Sequence, residues 1–155
     1  MVIGLISDTH NTLPEKIFKI FENVDYIIHA GDVGSTDILN ELETIAPVKA
    51  VYGNMDSFPL VSDYNRMETF SLGGWSFCLI HAISSTRSFA YELFKMQKKI
   101  DIVIFGHTHQ KEHTVFNEIQ FINPGSASKP RHSVKGSVAL LHLNKNEIEV
   151  RFVHI

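Results

Sequence analysis

Val2-Ile3-Gly4-Leu5-Ile6-Ser7-Asp8-Thr9-His10 is the stretch from which the fold is read. A short uncharged apolar run gives way at once to a polar loop, the pattern of a buried strand. Downstream, Thr12-Leu13-Pro14-Glu15 has the form of a capping box with proline early in the helix. The helix it predicts carries Ile17, Ile20, Phe21 and Val24 on one apolar face. Tyr26-Ile27-Ile28 makes a second strand, running into Gly31-Asp32. Ser35 and Thr36 can cap a second helix, with Ile38, Leu42 and Ile45 on one side and Pro47 closing it. Val48 to Tyr52 is a third strand, ended by Gly53-Asn54. Strand, helix, strand, helix, strand is the order of parallel βαβ units.

Further along the chain the pattern becomes mixed. Glu68 to Leu72 and Trp75 to Ile80 flank Gly73-Gly74, a hairpin signal. A helix near Ser88 to Lys98 puts Phe89, Leu93 and Met96 on one side. Ile102 to Phe105 is another buried strand, ended by Gly106-His107-Thr108-His109. Antiparallel strands follow near Thr114 to Phe116, Gln120 to Ile122, Ser137 to Leu143 and Ile148 to Val153, with Lys145-Asn146 as the last turn. So many strands favour two face-to-face sheets covered by helices over one open sheet.

The 155 residues suit a single domain spanning residues 1–155, and 44% hydrophobic residues can fill its core. A net charge of −3 shows no electrostatic footprint for nucleic acid. The single cysteine, Cys78, lies in an apolar run, so no internal disulfide forms and a small buried hydrophobe is expected. With no basic leader and no long apolar stretch, neither a membrane span nor a signal peptide is expected, and the predicted location is cytoplasmic.

The chemistry shows in where the polar residues fall. Asp8 and His10 follow the first strand, Asp32 the second and Asn54 the third. His81 follows the Trp75–Ile80 strand, and His107 and His109 follow Ile102–Phe105. Five strands thus each deliver Asp, His or Asn just past their C-terminal ends, where α/β sites are built. Asp8-x-His10 and His107-x-His109 would place both side chains on one side of an extended segment. Gly31, Gly53 and Gly106 leave room for close backbone approach. Seven ligands exceed the needs of one metal with an open position and suit two, sharing one carboxylate. Four imidazoles, two carboxylates and an amide favour manganese, iron or zinc over magnesium or calcium. Two divalent ions, two aspartates and a bridging hydroxide leave about +1 of charge, complementary to a phosphodiester. Metals roughly 3.5–4 Å apart lower the pKa of a shared water and stabilise an in-line displacement. Backbone N–H groups at the helix near Thr12 could also face the anion.

Asp8-x-His10, Gly31-Asp32, Gly53-Asn54-x-Asp56, His81 and Gly106-His107-Thr108-His109 resemble the calcineurin-like metallophosphoesterases, in particular their small bacterial and archaeal phosphodiesterases. Asn123-Pro124-Gly125-Ser126, followed by Pro130-Arg131, is similar to that subgroup's late loop. The resemblance implies an α+β fold, a four-layer αββα sandwich of two mixed sheets flanked by helices. It also implies one metal held by Asp8, His10, Asp32 and His109, and a second by Asp32, Asn54, His81 and His107, with Asp32 bridging. Two divalent ions are implied, manganese foremost, with zinc, iron or nickel as alternatives. The substrate implied is a small phosphodiester or nucleotide-like molecule. Longer family members carry a histidine after the motif asparagine, where this chain has Met55, which cannot protonate a leaving group. Ala82 stands where glycine is common.

His29 is open between a supporting role at the site and a satisfied core histidine, and Asn11 between substrate contact and a loop or cap. Arg131 and His132 could meet a phosphate. Asp56 is expected to shape the turn, Lys95, Lys98 and Lys99 to be a solvated helix end, and His113, His142 and His154 to stand apart. A phosphomonoesterase with the same site, or a non-catalytic scaffold resembling a retromer subunit, remains as an alternative. A two-metal amidohydrolase is excluded by the roughly 250 residues its barrel needs. An exposed aromatic such as Phe58 could support a homo-oligomer.

Overall fold

The computed structural model describes residues 1–130, 135–145 and 147–155. In chain order its elements are β1 (Val2–Ile6), α1 (Lys16–Ile20), β2 (Tyr26–His29), α2 (Thr36–Glu43), β3 (Val48–Ala50), α3 (Leu60–Asp63), β4 (Met67–Leu72) and β5 (Trp75–Ile80). They continue with α4 (Thr86–Lys95), β6 (Ile102–Ile104), β7 (Lys111–Phe116), β8 (Ile119–Pro124), β9 (Ser137–Leu143) and β10 (Ile148–His154).

The ten strands form two five-stranded sheets, ordered β10-β9-β1-β2-β3 and β4-β5-β6-β8-β7. Both are mixed. β1, β2 and β3 run parallel, whereas β9 lies antiparallel to β1, with Leu5 opposite Ile28 on one side and Ala139 on the other. In the second sheet β5, β6 and β8 are parallel, and β4 and β7 close the edges antiparallel.

Three apolar interfaces stack these elements into four layers. Between the sheets, Ile3, Leu5, Ile28 and Leu141 pack on Phe77, Leu79, Ile102, Ile104 and Ile122. On the outer face of the first sheet, Ile27, Val138 and Leu140 meet Ile17, Phe21, Ile38, Leu39 and Leu42 from α1, α2 and the turn after α1. Outside the second sheet, Cys78, Val103 and Phe121 meet Phe89, Ala90 and Leu93 of α4. The alternation along each strand explains this, since successive side chains enter opposite interfaces. Cys78 is fully buried and its thiol is pushed up to about 11 by burial, as a small core hydrophobe and not a nucleophile. Among the described residues no helix is long and apolar enough to cross a membrane.

Several boundaries differ from the sequence expectation. The capping box at Thr12 does not form. Thr12 instead donates its N–H to the Thr9 carbonyl, and Glu15 precedes a helix of five residues with no side-chain cap. Leu13, preceding proline, is biased away from helical backbone, which delays the helix to Lys16. β3 ends at Ala50 because the Tyr52 N–H turns to the Asn65 carbonyl, 3.2 Å away. α4 begins at Thr86, where Ser85 Oγ accepts the Ser88 N–H, and ends before Met96, which is exposed. β7 and β8 extend beyond expectation because Asn117 and Glu118, both left-handed, make a tight two-residue turn. Gly73-Gly74 turns β4 into β5 as expected. Asn146 of the last turn, and Arg131 and His132, lie outside the described residues.

Phe77 is fully buried between the sheets and stacks on Phe70 with ring centroids 5.2 Å apart. Phe77→Ala should lower unfolding free energy by about 3–5 kcal/mol in urea titration. Val115→Ala, at an exposed position, should change it by under about 0.5 kcal/mol. Equal small effects at both positions would contradict the inter-sheet packing.

Candidate metal centre

β1, β2 and β3 of one sheet and β5 and β6 of the other end at the same pole, and the loops leaving them converge. The loop after β1 runs beside the loop after β2, joined by Asp8 N–H to the Gly31 carbonyl at 3.0 Å, His10 to Asp32 at 3.0 Å and Asn11 to Val33 at 2.9 Å. Asp8, His10, Asp32, His107 and His109 all have left-handed backbone, with φ between 44° and 69°. The expectation that both His/Asp pairs lie on extended segments is therefore corrected. Left-handed turns bring the side chains together, while Thr9 between Asp8 and His10 is fully buried. Each such residue costs roughly 1–3 kcal/mol and persists only where surroundings hold it, a pattern concentrated at functional sites.

All seven sequence-derived residues meet. Ligand atoms of Asp8, His10, Asp32 and His109 lie within 4.8 Å of one another. His109 Nε2 is 3.2 Å from Asp8 Oδ1 and 3.3 Å from His10 Nε2. Beside this group, His81 Nε2 lies 3.4 Å from Asp32 Oδ2 and 3.1 Å from Asn54 Oδ1, which is also 2.9 Å from His107 Nδ1. Asp8, Asp32 and His81 form a buried floor, and Asn54 and His107 an exposed mouth.

Surrounding groups aim the imidazoles. His109 Nδ1–H donates to the Lys129 carbonyl at 2.6 Å, and His81 Nδ1–H to Ala30 at 2.7 Å. In its neutral form each ring therefore turns its Nε2 lone pair inward. Asp8 Oδ2 accepts from Ser7 Oγ at 2.7 Å and the His107 N–H at 3.1 Å, but buried Oδ1 has no hydrogen-bond partner among the described residues. A buried carboxylate oxygen facing imidazole lone pairs is costly unless a cation is shared among them. The donor set thus fits divalent metal. Two glycines make the approach possible, since a Cβ at Gly53 would overlap Asp32 Oδ1 and one at Gly106 would overlap Ser7 Oγ.

The charges follow from the surroundings. Burial pushes the Asp8 carboxyl up, against the Ser7 hydrogen bond and the charges of His81 and His109. Burial also opposes ionisation of Asp32, but His81, the Met55 N–H and the charge of His10 outweigh it and hold this carboxyl below its ordinary value. For His81, burial is outweighed by Asp32, the Ala30 carbonyl and Asp8, which raise it. His10 is lowered, burial leading.

The structure also shows supports that the motifs did not assign. Ser126 Oγ and Ser128 Oγ reach the Asp8 carbonyl at 2.9 and 3.2 Å, and Asn123 Nδ2 donates to the Gly106 carbonyl at 2.8 Å. The Asn-Pro-Gly-Ser loop was visible in the sequence, but its role as a brace was not. Asp56 accepts three N–H groups, from Val33, Gly34 and Gly53, and so ties the β2 and β3 loops, beyond the single turn expected of it. His29 is fully buried, between Thr9 and Gly31. His113 pairs with Gln120 and His154 with Lys111, away from the cluster.

The chain matches the family model described as calcineurin-like phosphoesterase superfamily domain over residues 1–146. A probable metallophosphoesterase of Methanothermobacter thermautotrophicus is 36% identical over 160 residues, covering 99% of this chain and 92% of the relative. Phosphodiesterase MJ0936 of Methanocaldococcus jannaschii is 31% identical over 141 residues, covering 81% of this chain and 83% of its own length. In fold, the chain is similar to wild-type Vps29 complexed with zinc from Entamoeba histolytica, with a TM-score of 0.79, 21% identity and 99% of each chain covered.

Burial lowers His29 to about 3, so the fold refuses a proton that the unfolded chain accepts near pH 6.5. The unfolded state then binds more protons between these values, and stability falls as pH falls through that window. His29→Leu should reduce the slope of stability against pH there by up to about 1.4 kcal/mol per pH unit in denaturant titrations. An unchanged slope would show that His29 titrates normally in the fold.

Proposed function

This chain belongs to the calcineurin-like phosphoesterase superfamily, and we propose that it is a metal-dependent phosphodiesterase working at a dinuclear metal centre. One observation carries the proposal most: buried Asp8 Oδ1, without a hydrogen-bond partner among the described residues, faces His109 Nε2, whose other ring nitrogen is committed as a donor. Asp8, His10, Asp32 and His109 would hold one ion, and Asp32, Asn54, His81 and His107 the other, with Asp32 shared. Manganese suits this mixed set, with zinc, iron or nickel as alternatives. Bound divalent metals supply Lewis acidity toward phosphoryl oxygens and water of lowered pKa.

The chain's own groups then fix the reaction's geometry. The Lys129 and Ala30 carbonyls hold the His109 and His81 tautomers, and the Met55 N–H, 2.8 Å from Asp32 Oδ1, holds that carboxylate. Asn54 and His107 line the mouth where substrate enters. The Met55 side chain, 68% exposed on the same loop, has no proton to give a leaving group. A cleft of about 190 Å³ adjoins Asn54 and His81 and is walled by Tyr52, Arg66, Ile80 and Ala82. It would receive one ester arm of a small diester or nucleotide-like substrate. Arg66 is exposed and forms no ion pair among the described residues, which favours an arm carrying its own negative charge. A reducing, cytoplasmic setting is in keeping with the one buried cysteine. The scaffold alternative draws on the likeness to Vps29, which at 21% identity is a likeness of fold alone.

Chelator-treated protein should hydrolyse bis(4-nitrophenyl) phosphate only after manganese is added. His109→Ala should lower kcat/KM at least about 100-fold. Aryl diesters should react faster than alkyl diesters, because Met55 gives the leaving group no proton, and faster than the aryl monoester, because about +1 of site charge suits a singly charged diester. A well-folded protein inactive with manganese, zinc, iron and nickel would favour the scaffold. Arg66→Ala should raise KM about tenfold for a diester with a carboxylate on one arm and leave the uncharged-arm diester unchanged. Equal effects on both would remove Arg66 from substrate selection.

A further inference from the structure

His29 lies beneath the two loops that carry Asp8, His10 and Asp32, and its side chain is fully buried. The hydrogen bonds around it run in one direction. The Gly31 backbone N–H can only donate, and it meets His29 Nδ1 at 3.2 Å, so Nδ1 is the acceptor. The proton of the neutral ring is therefore on Nε2, 2.9 Å from Thr9 Oγ1. That hydroxyl accepts it and donates its own proton to the Val33 carbonyl at 2.9 Å. Gly31 N–H, imidazole, Thr9 hydroxyl and Val33 carbonyl thus form one continuous chain. It begins and ends on the β2 loop and passes through the β1 loop at Thr9. Thr9 stands between Asp8 and His10, and Gly31 and Val33 stand on either side of Asp32.

We propose that His29 is a positioning residue of the metal centre, setting the span between the Asp8/His10 loop and the Asp32 loop through Thr9 and Gly31. This rests on assigning Asp8, His10, Asp32 and His109 as metal ligands. A histidine that only fills the core would also need partners, but not partners divided between the two loops that carry the ligands. The role assigned here needs that division, because the loops that the chain joins are left-handed at Asp8, His10 and Asp32 and have little stability of their own. Partners one contact removed from a metal ligand commonly govern affinity by 10–100-fold.

The test is manganese binding by calorimetry to chelator-treated wild type, Thr9→Ser, Thr9→Val, His29→Leu and the Thr9→Val/His29→Leu double variant, each checked by metal-free melting. Thr9→Val and His29→Leu should each weaken manganese about 10–100-fold. Thr9→Ser, which keeps the hydroxyl, should stay within about threefold of wild type. The double variant should be no weaker than the poorer single variant, because both cut the same chain. Thr9→Val leaves His29 in place, so the comparison with Thr9→Ser stands even where His29→Leu fails to fold. Equal affinity in Thr9→Val and Thr9→Ser, or additive losses in the double variant, overturns the proposal. Wild type that binds neither manganese nor zinc overturns the ligand assignment and the role of His29 with it. Wild type that binds metal but hydrolyses no ester overturns only the phosphodiesterase proposal.

Discussion

The Asp8 carboxylate is buried with one oxygen lacking a partner among the described residues, and most of the surrounding architecture keeps it there. Left alone, such a group would be expelled to water or held protonated, and burial does push it toward protonation. Three kinds of support resist this. Ser7 and the His107 N–H occupy its second oxygen, Ser126 and Ser128 fasten its backbone carbonyl, and the parallel loop after β2 receives its N–H. The remaining oxygen faces His109 Nε2, on a ring that the Lys129 carbonyl turns inward.

This arrangement needs two sheets. One sheet alone would bring Asp8, Asp32 and Asn54 to its end but none of His81, His107 and His109, which leave β5 and β6 of the other. The distance between the two groups is set by the apolar layer of Leu5, Ile28, Phe77, Leu79 and Ile104, because packed sheets keep a spacing near 10 Å. The hydrocarbon interior and the polar pole are one geometric problem: the layer sets the gap, and the loops beyond it carry side chains long enough to span it.

Much of the site was legible because each candidate residue comes directly after an apolar run whose strand character is strong. Asp8, Asp32, His81 and His107 needed only that rule. The supports were not legible, since Ser126, Ser128 and Asp56 act through backbone groups of segments distant in sequence, and no periodicity marks such partners. His29 was singled out but not resolved, because its role depends on a tautomer that only Gly31 and Thr9 reveal. The elements misjudged were those decided by local competition. Pro14 displaced the start of α1, and the turn at Asn117-Glu118, with a glutamate where glycine is customary, concealed the full length of β7 and β8.

The brace on Asp8 comes from far down the chain, since Ser126 and Ser128 are 118 and 120 residues away. β9, which pairs with the free edge of β1, is later still. During synthesis the first strand therefore emerges with only one of its eventual neighbours soon available, and its acidic loop waits for Ser126 and Ser128. A growing chain on the ribosome would hold Asp8, His10 and Asp32 close together in sequence but unfastened. The fastening of Asp8 is thereby deferred until the segment carrying Ser126 and Ser128 has been made.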